Sequence, residues 1–223
     1  MTNPITSGAQ YIESLRGRNL RVFFMGERVG EPVEHPVIRP SINAVARTYD
    51  LANEDPELAT AHSSLIGRRV NRFLHVTESA LDVVMQNRMQ RRLGQLTGTC
   101  FQCCVGMDAF NALYAVTFDL DARHGTTYHP RLKSFLGSCQ EQNLVVGGAM
   151  TDPKGDRSRG PSAQDDPGLF TRVVERRADG VVIRGAKAHQ TGCVNSHWIV
   201  VMPTLRLQEA DRDYAIVAAI PVT

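Results

Sequence analysis

A chain of 223 residues with 42% apolar and 22% charged side chains has the make-up of a folded globular protein, large enough for one big domain or two small ones. Its formal net charge of +2 calls for no polyanionic partner, so nucleic acid is set aside. No apolar run approaches the roughly 20 residues that cross a bilayer, and the opening "MTNPITSGAQYIESLRGRN" has no apolar signal core, so no membrane is expected and the location is read as cytoplasmic.

Residues 1–143 read as mainly helical. "TSGAQYIESLR" opens a helix on Thr6 or Ser7 as cap. "LRVFFMGERVG" (Leu20–Gly30) reads as a short hairpin with "GE" at its turn. Prolines 32, 36 and 40 mark an extended connector, followed by a helix ending near Asn53. "TESALDVVMQNRMQRRLGQLTG" places Leu81, Val84, Met85 and Met89 near helical spacing, with Gly94 or Gly98 to end the run. A further helix is expected to carry the cysteines through about Asp121, and "HPRLKSFLGSCQEQN" reads as another, with Pro130 in its first turn.

From Leu144 the texture changes. "LVVGGAM", "FTRVVERR", "GVVIRGAKAHQTG", "HWIVVMP" and "DYAIVAAIPVT" are β-branched runs between turn residues, and "RADGVV" is a hairpin signal. Residues 144–223 therefore predict an antiparallel sheet or small barrel. The polar stretch "TDPKGDRSRGPSAQDDPG" between its first two strands is long for a loop in a compact unit, and such loops are often functional. The class is α+β: a helical part, then a β part.

Three of the five cysteines, Cys100, Cys103 and Cys104, fall within "TGTCFQCCVGMD". An odd, uneven count is not a disulfide framework, and clustered thiols in a reducing compartment point to metal or catalysis. On a helix, Cys100 and Cys104 share one face, one turn apart. Two thiolates so placed can hold one edge of an iron–sulfur centre. The same residues, continued by Met107, Phe110 and Tyr114, also follow core spacing, and cysteine packs well as a small apolar side chain. Both readings stand on spacing alone. Cys100-Phe-Gln-Cys103 is a C-x-x-C, but it lacks the strand and βαβ context of a thioredoxin-like site. A complete cluster takes four protein ligands. Cys139 and Cys193 are isolated, so the other ligands are expected from distant sequence.

Three segments, "TGTCFQCCVGMDAFNAL", "GGAMTDPKGDRSRGPSAQ" and "GAKAHQTGCVNSHWIVVMPT", together resemble the 4-hydroxybutyryl-CoA dehydratase (vinylacetyl-CoA Δ-isomerase) family. That family is grouped with the flavin-dependent 4-hydroxyphenylacetate 3-monooxygenases. The resemblance covers essentially the whole chain. It implies an acyl-CoA dehydrogenase-like plan: a helical domain (1–143), a middle β domain (144–223) and a C-terminal helical bundle lying beyond this sequence. It implies FAD and a 4Fe-4S cluster, with Cys100 and Cys104 matching the family's C-x-x-x-C pair. Cys103 is an extra thiol outside that pattern. The family's remaining ligands, a His and a Cys, have no counterpart here.

For FAD, the matching stretch runs from Ala149 through Met150 and Thr151 to Lys154 and Arg157. Backbone amides and the Thr151 hydroxyl suit the flavin ring, and the two cations suit its pyrophosphate. The second matching stretch is residues 187–192, in which Gln190 and Thr191 are the side chains suited to hydrogen-bond the isoalloxazine edge and His189 is the histidine to watch. Read without the resemblance, Gln190 and Thr191 are a satisfied turn between strands. No G-x-G-x-x-G is present.

The implied reaction is dehydration of 4-hydroxybutyryl-CoA to crotonyl-CoA, with vinylacetyl-CoA isomerisation, in a homotetramer acting on acyl-CoA. The implied route is radical: loss of an electron to the flavin after α-deprotonation acidifies the β C–H, and the cluster serves as Lewis acid toward the departing hydroxyl. The alternatives are an FAD-dependent aromatic hydroxylase of the same superfamily, or an inactive fragment.

Overall fold

The computed structural model describes residues 3–100 and 104–223, with Cys104 described by its backbone alone. Helix α1 (Gly8–Ser14) starts where expected, with Ser7 as cap accepting from the Gln10 N–H. Strands β1 (Val22–Phe24) and β2 (Glu27–Val29) form the expected hairpin. Its turn is Met25-Gly26, one residue earlier than "GE", because Phe24 pairs with Glu27. Both turn residues have positive φ, 52° and 88°, which matches the twist of the strands.

Helix α2 (Arg39–Glu54) and the one-turn α3 (Pro56–Ala59) lead into β3 (Thr60–Ser63) and β4 (Arg68–Asn71). This second hairpin has no counterpart in the sequence reading; its strands are four polar-rich residues each, too short for alternation to register. Helix α4 (Ala80–Thr97) buries Met89 and Leu93 and leaves Leu81, Val83 and Val84 exposed. Gly98 ends it in the left-handed conformation, its N–H bonded to the Gly94 carbonyl. Helix α5 (Cys104–His124) and α6 (Tyr128–Gln142) follow. Thr127 gives α6 no side-chain cap; Asp121 of α5 accepts from the Tyr128 and His129 N–H groups at 2.9 and 2.8 Å instead.

The β half departs from expectation in its pairing. Strand β5 (Val146–Ala149) lies parallel to β8 (Trp198–Val201), and β8 lies antiparallel to β9 (Ala218–Pro221). Strands β6 (Arg172–Arg177) and β7 (Gly180–Arg184) form a separate hairpin, its turn at Ala178-Asp179. The expected antiparallel sheet or barrel is therefore corrected, among the described residues, to a mixed three-stranded sheet plus a hairpin. Parallel pairing needs a long crossover, and the whole stretch between Ala149 and Trp198 supplies one.

One buried core joins the helical and β parts: Tyr11, Tyr49, Phe73, Phe110 and Leu136 pack with Val145, Val146 and Val200. Polar ties reinforce it. The Arg18 guanidinium donates to the carbonyls of Val194, Ser196 and Val222 at 2.5, 2.7 and 3.1 Å. The Tyr11 hydroxyl donates to the Asn195 carbonyl at 2.6 Å.

His197 completes this seam. Its Nδ1 accepts from the Val145 N–H at 3.0 Å, so Nε2 carries the proton toward the Ser14 hydroxyl at 2.9 Å. Burial, then the nearby Arg18 charge, push its pKa from 6.5 down to about 4. The folded state thus binds fewer protons than the unfolded chain between those values. Its contribution is complete above pH 6.5 and is lost as pH falls toward 4. The loss is on the order of 3 kcal/mol. His197→Asn, which keeps an acceptor for the Val145 N–H, is expected to flatten that acid limb in urea unfolding run across the same pH range; an unchanged limb would assign it to other groups.

Candidate functional site

The parallel pairing of β5 and β8 brings the two flavin-motif stretches together. Ala149 pairs with Val201, so the chain leaves both strands at the same end, through Met150 and Met202. Residues 187–190 lie alongside: the Ala188 N–H donates to the Thr151 carbonyl at 2.8 Å. Just before them Gly185 lets the chain press on Phe170 and Thr171, for at φ 141° a Cβ there would stand 2.4 Å from the Phe170 carbonyl oxygen. The chain then turns at His189, φ 56°, and Gly192, φ 81°.

A surface cleft of about 490 Å³ opens here, with Ala149, Lys187, Gln190, Ile199 and Val201 among its lining. Such a volume suits part of a cofactor-sized ligand. The Gln190 amide nitrogen donates to the Ala188 carbonyl, while its Oε1 is buried and has no hydrogen-bond partner among the described residues. An unmatched buried acceptor in a cleft wall is costly unless a ligand donor meets it, and the ring N–H of a flavin is such a donor. The turn itself satisfies the Gln190 amide nitrogen and leaves Oε1 unmatched. Thr151 and Thr191 are exposed.

The long loop after Thr151 is built, not loose. Gln164, buried, accepts from the Asp156 N–H at 3.0 Å and donates to the Asp156 carbonyl at 2.8 Å. Asp211 accepts from the Ser162 hydroxyl at 2.6 Å and from the Ser162 and Gln208 N–H groups. The Ser162 hydroxyl first, then those amides, hold the Asp211 carboxyl below its ordinary range. On this frame Lys154 and Arg157 are exposed and carry no hydrogen bond or ion pair with the described residues. They are cations left available to solvent or to an anionic group.

The cysteine expectations need correction. Cys100 is exposed and lies in the connection after Gly98, outside any helix, so it is neither core nor one turn from Cys104 on a shared helix. The Thr97-Gly98-Thr99 break ends the helix before it: Gly98 goes left-handed, and the Thr97 hydroxyl bonds locally to the Leu93 and Thr99 carbonyls. Cys104 opens α5. Cys103 and the Cys104 side chain lie outside the described residues. Met107 and Phe110 are in the core as expected. Cys139 is buried, its thiol pushed up to about 12 by burial; burial also raises that of half-buried Cys193. As free thiols both are held protonated by burial. Among the described residues, no three His, Cys, Asp or Glu side chains gather into a metal site.

The start of α5 is nevertheless fixed against the flavin-motif strand. A Cβ on Gly106 would stand 2.0 Å from the Val146 carbonyl oxygen, and one on Gly148 would stand 2.3 Å from Val105 Cγ1. The helix backbone therefore rests directly on β5, two residues after Cys104. The sequence reading missed Gly106; its signal was a glycine inside a helical run. It also missed Lys187 and Asp152, which form a buried pair at 2.5 Å. Nothing in their spacing announces that.

Comparison with known proteins agrees with this layout. The profile described as "4-hydroxyphenylacetate 3-hydroxylase N terminal" matches residues 7–223. The chain is 54% identical over 220 residues to 4-hydroxybutyryl-CoA dehydratase/vinylacetyl-CoA-Δ-isomerase of Clostridium aminobutyricum, covering 97% of this chain and 45% of that protein. A solved oxygen-tolerant archaeal 4-hydroxybutyryl-CoA dehydratase from N. maritimus superposes with TM-score 0.95 at 65% identity, over 97% of this chain and 43% of that one. The FAD complex of the oxygenase component of 4-hydroxyphenylacetate 3-monooxygenase shares the fold, with TM-score 0.75 at 23% identity over 97% of this chain and 44% of that one. The chain thus spans less than half the length of these relatives.

Proposed function

The chain belongs to the 4-hydroxyphenylacetate 3-hydroxylase N-terminal family, and from that premise we propose that it is the flavin-binding portion of a 4-hydroxybutyryl-CoA dehydratase. The observation that carries the branch is the 54% identity to the Clostridium enzyme, against 23% to the oxygenase of solved structure. The proposed substrate is 4-hydroxybutyryl-CoA, the products crotonyl-CoA and water, with vinylacetyl-CoA isomerisation as a second activity. The reaction is redox-neutral, so no reductant is consumed.

In this reading the stretches 149–157 and 187–191 hold FAD. The unmatched Gln190 Oε1 accepts from the ring, and the exposed Thr151 and Thr191 hydroxyls are further hydrogen-bonding groups on the two stretches. Lys154 and Arg157, held out on a braced loop, neutralise the pyrophosphate. Cys100 and Cys104 supply two thiolate ligands of a 4Fe-4S cluster, with the other two coming from outside the described residues. The resting of α5 on β5 at Gly106 supports this, because it keeps the cysteine segment beside the flavin strand. When bound, flavin offers one-electron chemistry and the cluster a Lewis acid for a hydroxyl. This chain's part is to hold both within reach of each other. An acyl-CoA dehydrogenase-like arrangement, domains at 1–143 and 144–223, a C-terminal helical bundle, a homotetramer and a cytoplasmic location belong to the same proposal. Among the described residues no helix is long and apolar enough to cross a membrane.

A second reading, an FAD-dependent aromatic hydroxylase, is favoured by the flavin cleft alone, which involves no cysteine. Cofactor content separates the two. Anaerobically purified complete protein is expected to hold FAD together with iron and acid-labile sulfide. FAD without iron would move the assignment to the hydroxylase branch.

A further inference from the structure

We infer that Lys187 is a positioning residue, an internal clamp that sets the two flavin-holding stretches against each other, and not a cation offered to the cofactor. The inference rests on the flavin reading above and adds a residue to it. The Lys187 ammonium donates to the Met150 carbonyl at 3.1 Å, to Asp152 Oδ1 at 2.5 Å and to the Met202 carbonyl at 2.7 Å. An ammonium has three protons, so none remains for a phosphate or a ring oxygen. Asp152 is equally committed, its Oδ2 accepting from the Thr204 hydroxyl at 3.1 Å. Both side chains are about nine-tenths buried, at 8% and 10% exposure.

The location gives the clamp its role. Met150 and Met202 are the first residues beyond the paired ends of β5 and β8, Ala149 and Val201. Lys187 opens the segment that runs on through Ala188 and His189 to Gln190. One ammonium therefore ties three chain segments where each leaves its regular structure. The backbone bond from Ala188 to Thr151 follows directly from that tie. Through it the Gln190 acceptor on one stretch and Thr151 on the other keep a fixed separation. A three-way junction of carbonyls and a carboxylate needs a compact, freely rotating donor, which lysine is and the planar guanidinium of arginine is not.

The test must separate positioning from folding. Lys187→Met alone strands a buried carboxylate, which is strongly destabilising. Lys187→Met with Asp152→Leu removes both charges, and such apolar replacement of a buried pair often leaves stability near the original. FAD is titrated into the complete apoprotein of wild type, of that double variant and of Lys187→Arg, with thermal melts and flavin visible circular dichroism on each. For a double variant melting within a few degrees of wild type, the inference predicts an FAD Kd raised tenfold or more and a changed flavin dichroism. Lys187→Arg is predicted to fall between wild type and the double variant. FAD affinity within twofold of wild type, with an unchanged flavin spectrum, in a folded double variant overturns the clamp while leaving the flavin reading intact. Should the double variant not fold, Lys187→Arg decides alone: wild-type affinity and dichroism overturn the clamp. Wild-type protein that takes up no FAD overturns both.

Discussion

Replacing Cys100 or Cys104 by serine is expected to lower the iron and labile sulfide of the complete protein to below roughly a tenth of wild type, while Cys103→Ser keeps them. A thiolate is a far better ligand for an iron–sulfur centre than an alkoxide or alcohol, and removing one of four ligands leaves the cluster open to loss. Cys100 is exposed on the connection after α4, and Cys104 opens α5. That placement suits ligands closing a centre from outside the core. FAD content is expected to hold in all three variants, because no cysteine lines the cleft among the described residues. Equal iron in the three variants would remove the ligand assignment. Loss of iron only in Cys103→Ser would transfer it to the C-x-x-C.

Gly106→Ala is expected to cost about 3 kcal/mol or more, since the new methyl would meet a backbone carbonyl at 2.0 Å and neither helix nor strand can yield by rotating a side chain. For a chain of this size that lowers Tm by roughly 6–12 °C. The functional effect follows the structural one: lifting α5 from β5 carries Cys104 away from the flavin strand, so iron retention falls along with stability. Gly94→Ala is the control. Gly94 sits inside α4 with nothing within 4 Å of its added Cβ. It is expected to stabilise by up to about 1 kcal/mol through helix propensity. If both substitutions behaved alike, the close approach at Gly106 would have no energetic weight.

These two glycines also mark what was legible from sequence. Helix limits were readable where a side chain or backbone state fixes them locally, as at Ser7 and Gly98. The first hairpin was readable because Gly26 marks its turn, although the turn was placed one residue late, at Gly26-Glu27 in place of Met25-Gly26. Which strands pair is not a local property: β5 and β8 are joined parallel across a long crossover, and period-two alternation is the same for either direction. The shared helix for Cys100 and Cys104 failed because four-residue spacing shows that two residues could share a helix face but not where that helix begins, and α5 opens only at Cys104. For the site, the residue types in the 149–157 and 187–191 stretches were visible in the motifs. The clamp between Lys187 and Asp152, 35 residues apart, was not, because it exists only once three chain segments meet.

The central claim is a reaction, and the most direct measurement is of its product. The complete protein, purified without oxygen, is given 4-hydroxybutyryl-CoA, and crotonyl-CoA is followed by chromatography with no added reductant. Crotonyl-CoA formation, lost in Cys100→Ser, is the predicted result. No dehydration from protein that instead consumes oxygen with reduced FAD and a phenol would contradict the account.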